Sequence, residues 1–250
     1  MKTSRLIAPV LGLLILGAAA AYAAERLRAD PFEYDPVNTR LVQSTWLPGI
    51  GCPTNGKISL DGSTSTPYTD PACTTGDSRD RQNQGLLLVK TGPTGNYASA
   101  GVVLTDVRGI TLTELGYDIR KPGVSLDPRG SHCGAGAPRF NVTTRDGRTF
   151  FIGCNSPPAP VQVPGNGWLR LRWGVTVPVQ GYDGAGTLTD LTGLQVDKIS
   201  IVFDEGQDTA PDNFGAAILD NIDINANLVG QGPIVPGTDS GHDGDGRDSD

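Results

Sequence analysis

The chain has 250 residues, is 37% hydrophobic and only 6% aromatic, and carries a net charge of −7 at pH 7. That moderate acidity argues against nucleic acid and anionic membrane surfaces as partners. Its 34 Gly and 19 Pro leave few places for a long helix, which points to an all-β chain.

Residues 1–23 read as a signal peptide. Lys2 and Arg5 form a basic start, Leu6 to Ala20 an apolar run, and Ala21-Tyr22-Ala23 a small-residue cleavage site. The apolar run is short for a membrane-spanning helix and no second span follows, so no membrane insertion is expected. Cleavage after Ala23 is expected to yield a secreted protein, extracellular or periplasmic. Losing Lys2 and Arg5 leaves 18 basic against 27 acidic residues, a net charge of −9. Residues 24–34 are expected to be an N-terminal lead-in, residues 35–230 one β domain, and residues 231–250 a disordered acidic tail. The end of the tail, from Asp243 to Asp250, has the acid spacing of the first half of a calcium loop but lacks the closing glutamate.

Four cysteines in an exported chain read as two disulfides. Cys52/Cys73 and Cys133/Cys154 are equally spaced and flank separate Gly/Pro-rich segments, which favours local pairing among the three connectivities. Each bridge would close about 20 residues and contribute roughly 3 kcal/mol in the chain-entropy model. Zinc is disfavoured by the lack of a C-x-x-C pair and the presence of only two histidines.

Strands are expected at Gly85 to Lys90, Ala100 to Thr105 and Leu115 to Arg120. Between Ile110 and Ile119 the apolar alternation slips phase, so a bulge or break is expected near Thr113-Glu114. Asp146-Gly147 separates Phe140–Thr144 from Arg148–Ile152 in a strong hairpin signal. The sequon Asn141-Val142-Thr143 lies on the first of these runs. Further strands are expected at Trp168 to Val175, Lys198 to Asp204 and Ala216 to Asn225.

Alternation in Trp168–Val175 places Leu169, Leu171, Trp173 and Val175 on the core face, and Trp168, Arg170 and Arg172 on the other. An aromatic beside two guanidinium groups suits a sugar ring and its hydroxyls, so these three are candidate ligand-binding residues. Alternatively, Trp168 packs beneath a loop and the arginines pair with acids.

Along Ala216–Asn225, period two places Ala216, Ile218, Asp220, Ile222 and Ile224 on one face, directing Asp220 inward. A buried carboxylate requires a cation or several donors, so a structural ion or an arginine partner is expected. The segment Lys198–Asp204, a polar loop, and Leu219-Asp220-Asn221-Ile222 together resemble the end of a jelly-roll carbohydrate-binding module of the galactose-binding-like kind. The resemblance implies a structural calcium at Asp220, with Asp204, Asp208 and Asp212 as nearby acids that add ligands and Glu33 as a weak candidate. It also implies an antiparallel β-sandwich of jelly-roll type and a carbohydrate or other extracellular ligand as partner.

Catalysis finds thin support. His132 adjoins Cys133, His242 lies in the tail, and no G-x-S-x-G elbow occurs. Glu114 and Glu205 are the only glutamates well inside the domain, while the abundant Asp singles out no pair. The leading expectation is a non-catalytic binding module. The alternatives are a structural or surface-coat protein, and an Asp-dependent hydrolase.

Overall fold

The computed structural model describes residues 27–52, 76–92, 96–121, 137–157, 161–165, 168–204 and 214–233. The expected signal peptide, Cys73, His132, Cys133, Asp208, Asp212 and most of the acidic tail lie outside the described residues.

Among the described residues the strands are β1 (Arg28–Tyr34), β2 (Val42–Leu47), β3 (Gly85–Thr91), β4 (Ser99–Thr105), β5 (Leu115–Arg120), β6 (Arg139–Thr144) and β7 (Thr149–Gly153), followed by β8 (Val161–Gly165), β9 (Trp168–Trp173), β10 (Gln180–Tyr182), β11 (Leu188–Asp190), β12 (Val196–Phe203), β13 (Phe214–Ile224) and β14 (Asn227–Val229). They form two antiparallel sheets. The first runs β1-β4-β12-β6-β7-β10-β11, and the second runs β2-β3-β13-β5-β9-β8 with β14 also on β13.

The sheets face each other through alternate residues. Ala100, Val102, Leu104, Phe140, Val142, Phe150, Ile152, Ile199, Ile201 and Phe203 come from the first, and Leu86, Leu88, Tyr117, Ile119, Leu169, Leu171 and Trp173 from the second. Across the gap the Tyr117 ring lies 5.3 Å from Phe140 and 6.1 Å from Trp173, between centroids. The polar tips of both second-sheet rings are satisfied, as buried Tyr and Trp require. Tyr117 Oη donates to Pro138 O at 2.9 Å and Trp173 Nε1 to Pro157 O at 3.1 Å.

The β6–β7 hairpin turns where Asp146-Gly147 marked it, with Gly147 at φ +86°. The phase slip is a break: Asn225 Oδ1 accepts from Thr113 N, Thr113 Oγ1 and Glu114 N, so β5 starts only at Leu115. Three expectations need correcting. Most of the lead-in is β1, an edge strand paired along its whole length with β4. Val175 is not core but 61% exposed, because Gly174 at φ +102° ends β9 first. The face assignment of β13 fails halfway along, with consequences for the site.

Candidate functional site: two outer sheet faces

Period two holds in β13 only as far as Asp220. Ala217 and Leu219 enter the main core, while Ile218 joins a satellite cluster on the outer face of the second sheet with Ile50, Cys52, Leu87 and Trp168. The register against β5 then shifts between Asp220 and Asp223, at Asn221 with φ +45°. Asparagine tolerates this left-handed backbone better than most residues. Beyond the bulge Ile222 and Ile224 return to the main core. Asp220 and Asp223 therefore both belong to the outer face, contrary to the expectation that Asp220 shares a face with Ile222 and Ile224.

Register brings these acids to the arginines. Asp220 is opposite Asp118, which is opposite Arg170; Asp223 is opposite Gly116, which is opposite Arg172. Asp118 accepts from Arg170 Nε and Nη2, both at 2.7 Å, from Asn221 Nδ2 at 2.9 Å and from Arg172 Nη2 at 3.4 Å. Arg172 Nε lies 3.1 Å from Asp223 Oδ2, and its Nη1 donates to Leu171 O at 2.8 Å. A Cβ on Gly116 would come within 2.8 Å of Arg172 Nη1, so glycine makes room for the guanidinium.

Asp220 meets neither arginine nor ion at hydrogen-bond range among the described residues. Its Oδ2 accepts from Cys52 N at 2.7 Å and its Oδ1 from Asn221 N at 2.6 Å. The same bulge pins the covering loop a second time, where Asp77 N donates to Asn221 Oδ1 at 2.9 Å. Burial, then the Asp118 charge, holds the Asp220 carboxyl well above the usual range. Burial likewise raises Asp223 to about 7 against the pull of Arg172, with Glu114 adding to the rise. For Arg170, burial opposes the charge but hydrogen bonds and attraction from Asp118 outweigh it, and the net direction is up. For Arg172 burial prevails and the direction is down. This is a mutually neutralising cluster, and it holds the loops over the sheet.

That placement corrects the sequence-based sites. Trp168 is 1% exposed and offers no ring to a ligand. The side chains of Arg170 and Arg172 are 11% and 12% exposed and already engaged by acids. Asp204 pairs with Arg139 at 2.8 Å, and Glu33 Oε1 accepts from Ser44 N at 3.1 Å. No group of three or more metal-ligating side chains occurs among the described residues. With both Asp220 oxygens taken by backbone N–H groups, those residues do not fit a calcium cage, which needs about six to eight oxygens.

The outer face of the first sheet differs in character. One row of side chains crosses all seven strands in register: Asp30, Val103, Ser200, Asn141, Phe151, Tyr182 and Leu188. A second row runs beside it through Phe32, Gly101, Val202, Arg139 and Gly153. Phe32, Val103, Asn141, Phe151, Tyr182 and Val202 are half-buried, while Leu188 and Tyr34 are exposed. Phe32 lies over Gly101, where a Cβ would come within 2.6 Å of the ring. Asn141 Oδ1 is buried and accepts no hydrogen bond. The face thus combines rings, an amide, a hydroxyl and two glycines. Sequence reading missed it because the rings lie on separate strands, and only register assembles them.

The described chain is thus an antiparallel two-sheet β-sandwich. No protein-family model matches it, and no curated protein does. Among solved structures it is similar to a family 11 carbohydrate-binding module of a cellulosomal cellulase of Clostridium thermocellum, at 12% identity and TM-score 0.35, covering 83% of this chain and 90% of that one. A family 11 module from the same organism in complex with a β-1,3-1,4-mixed-linked tetrasaccharide gives 15% identity and TM-score 0.34, covering 81% and 96%. An exo-β-agarase gives 16% identity and TM-score 0.31, covering 82% of this chain and 26% of that one. At such TM-scores any functional reading rests on this chain's own residues.

Proposed function

We propose that the protein is an exported, non-catalytic carbohydrate-binding module that takes its ligand on the outer face of the first sheet. The supporting observation is the row of half-buried aromatic and hydrogen-bonding side chains across that face, centred on Asn141, Phe151 and Tyr182. Sugar rings present apolar C–H faces beside hydroxyls, and such a surface answers both. The charged cluster beneath the loops on the opposite face is structural in this reading, and no calcium is assigned to Asp220.

Export and disulfide pairing belong to the same reading. Cys52 and Cys154 are buried and neither is a free thiol, which supports Cys52/Cys73 and Cys133/Cys154 as local staples. Peptide mapping of the secreted, non-reduced protein tests the pairing. The function is tested by binding residues 24–250 to a broad polysaccharide panel. Saturable binding that Phe151→Ala weakens without lowering the melting temperature is the expected result, and a blank from folded protein would refute the reading.

A further inference from the structure

We propose that the ligand is an uncharged, linear polysaccharide lying across the strands of the first sheet, which rests on the carbohydrate-binding reading above and narrows it. Direction comes from register. The row from Asp30 to Leu188 crosses seven strands, so at the usual strand spacing it spans roughly 29 Å. Its aromatic contacts divide between the two ends. Phe151 and Tyr182 lie on neighbouring strands, whereas Phe32 and Tyr34 belong to β1 at the other edge. From β1 to β7 is four strand spacings, about 19 Å, so only an extended ligand touches both sets.

Charge argues for a neutral chain. Within the two rows the charged side chains are Asp30, at the edge, and Arg139. The Arg139 guanidinium is bound by Asp204 at 2.8 and 2.9 Å, which removes it as an anchor for uronate or sulfate groups. At the centre lie Ser200 and Asn141, whose Oδ1 lacks a donor within the protein. A buried acceptor without a donor is costly, and a partner rich in O–H groups relieves that cost.

The test is calorimetric titration of residues 24–250 with disaccharide, tetrasaccharide and hexasaccharide from cellulose, xylan, mannan and agarose, with polygalacturonate as the charged comparison. The expected result is affinity rising about tenfold or more with length in one neutral series, and none for polygalacturonate. Phe151→Ala/Tyr182→Ala should lower affinity for that hexasaccharide about tenfold. Tyr34→Ala, a change at a 55%-exposed side chain that leaves the fold intact, should weaken the hexasaccharide and spare the disaccharide. Length-independent affinity, tighter binding of polygalacturonate, or indifference to these substitutions would overturn the inference while leaving carbohydrate binding standing. Absence of binding to any polysaccharide would bring down both.

Discussion

Replacing Asp118 with asparagine removes the negative charge at the centre of the outer-face cluster while keeping the side chain's size. The carboxylate is 1% exposed and faces two guanidinium groups that are only 11% and 12% exposed, so water cannot take its place. Both Arg170 contacts at 2.7 Å would lose their charge assistance, and the new amide N–H₂ would face other donors. Breaking a buried pair by removing one partner costs about 3–5 kcal/mol, against about 1 kcal/mol or less for an exposed pair. For a domain of this size that corresponds to a melting temperature lower by roughly 6–20 °C. Urea unfolding and calorimetry of Asp118→Asn at pH 7 measure it. The double variant Asp118→Leu/Arg170→Met should recover much of the loss, because an apolar pair leaves no buried charge and Arg172 keeps Asp223. A loss below about 1 kcal/mol for Asp118→Asn would refute the argument, since the cluster would then be behaving as solvated surface.

Stability should also depend on pH in two opposite ways. Asp223 is raised from 3.8 to about 7 and Asp220 is raised as well, so the folded state binds more protons and the melting temperature should rise as pH falls from 8 towards 5. Asp77 is lowered, so its contribution is present above its unfolded value and is lost as pH falls below about 4. A melting temperature that falls steadily from pH 8 to 5, or a slope that Asp223→Asn does not flatten, would contradict the assignment. Trp168→Ala should cost about 3–5 kcal/mol in unfolding experiments and change sugar binding only through folding, because the ring is core. Adding a chelator should leave the melting temperature unchanged; a clear fall would place an ion where backbone donors are now assigned.

Much of the sandwich is legible in the sequence wherever a strand alternates cleanly. Leu115–Arg120 and the Phe140–Ile152 hairpin are marked by apolar period and turn chemistry, which are local properties. The alternation of Trp168, Arg170 and Arg172 likewise identifies their shared face. Whether that face is open is not a local property, because it depends on residues 49–52 and 77–84 lying over it, through bonds such as Cys52 N to Asp220. Asn221 explains the misassigned half of β13, since one residue with positive φ reverses every later side chain, and asparagine hints at such a position without requiring it. The short β10 and β11, of three residues each, are too brief to carry a period.

Strand order has a consequence for biosynthesis. In the first sheet β12 sits between β4 and β6, and in the second β13 sits between β3 and β5. Both central strands belong to the last quarter of the chain, so every earlier half-sheet waits for its keystone until synthesis is nearly over. Closure over such sequence distances is slow, and the waiting segments expose Leu86, Leu88, Val102 and Leu104. A chain destined for export profits from that delay: it stays threadable while it crosses, and it locks when its C-terminal strands arrive on the far side.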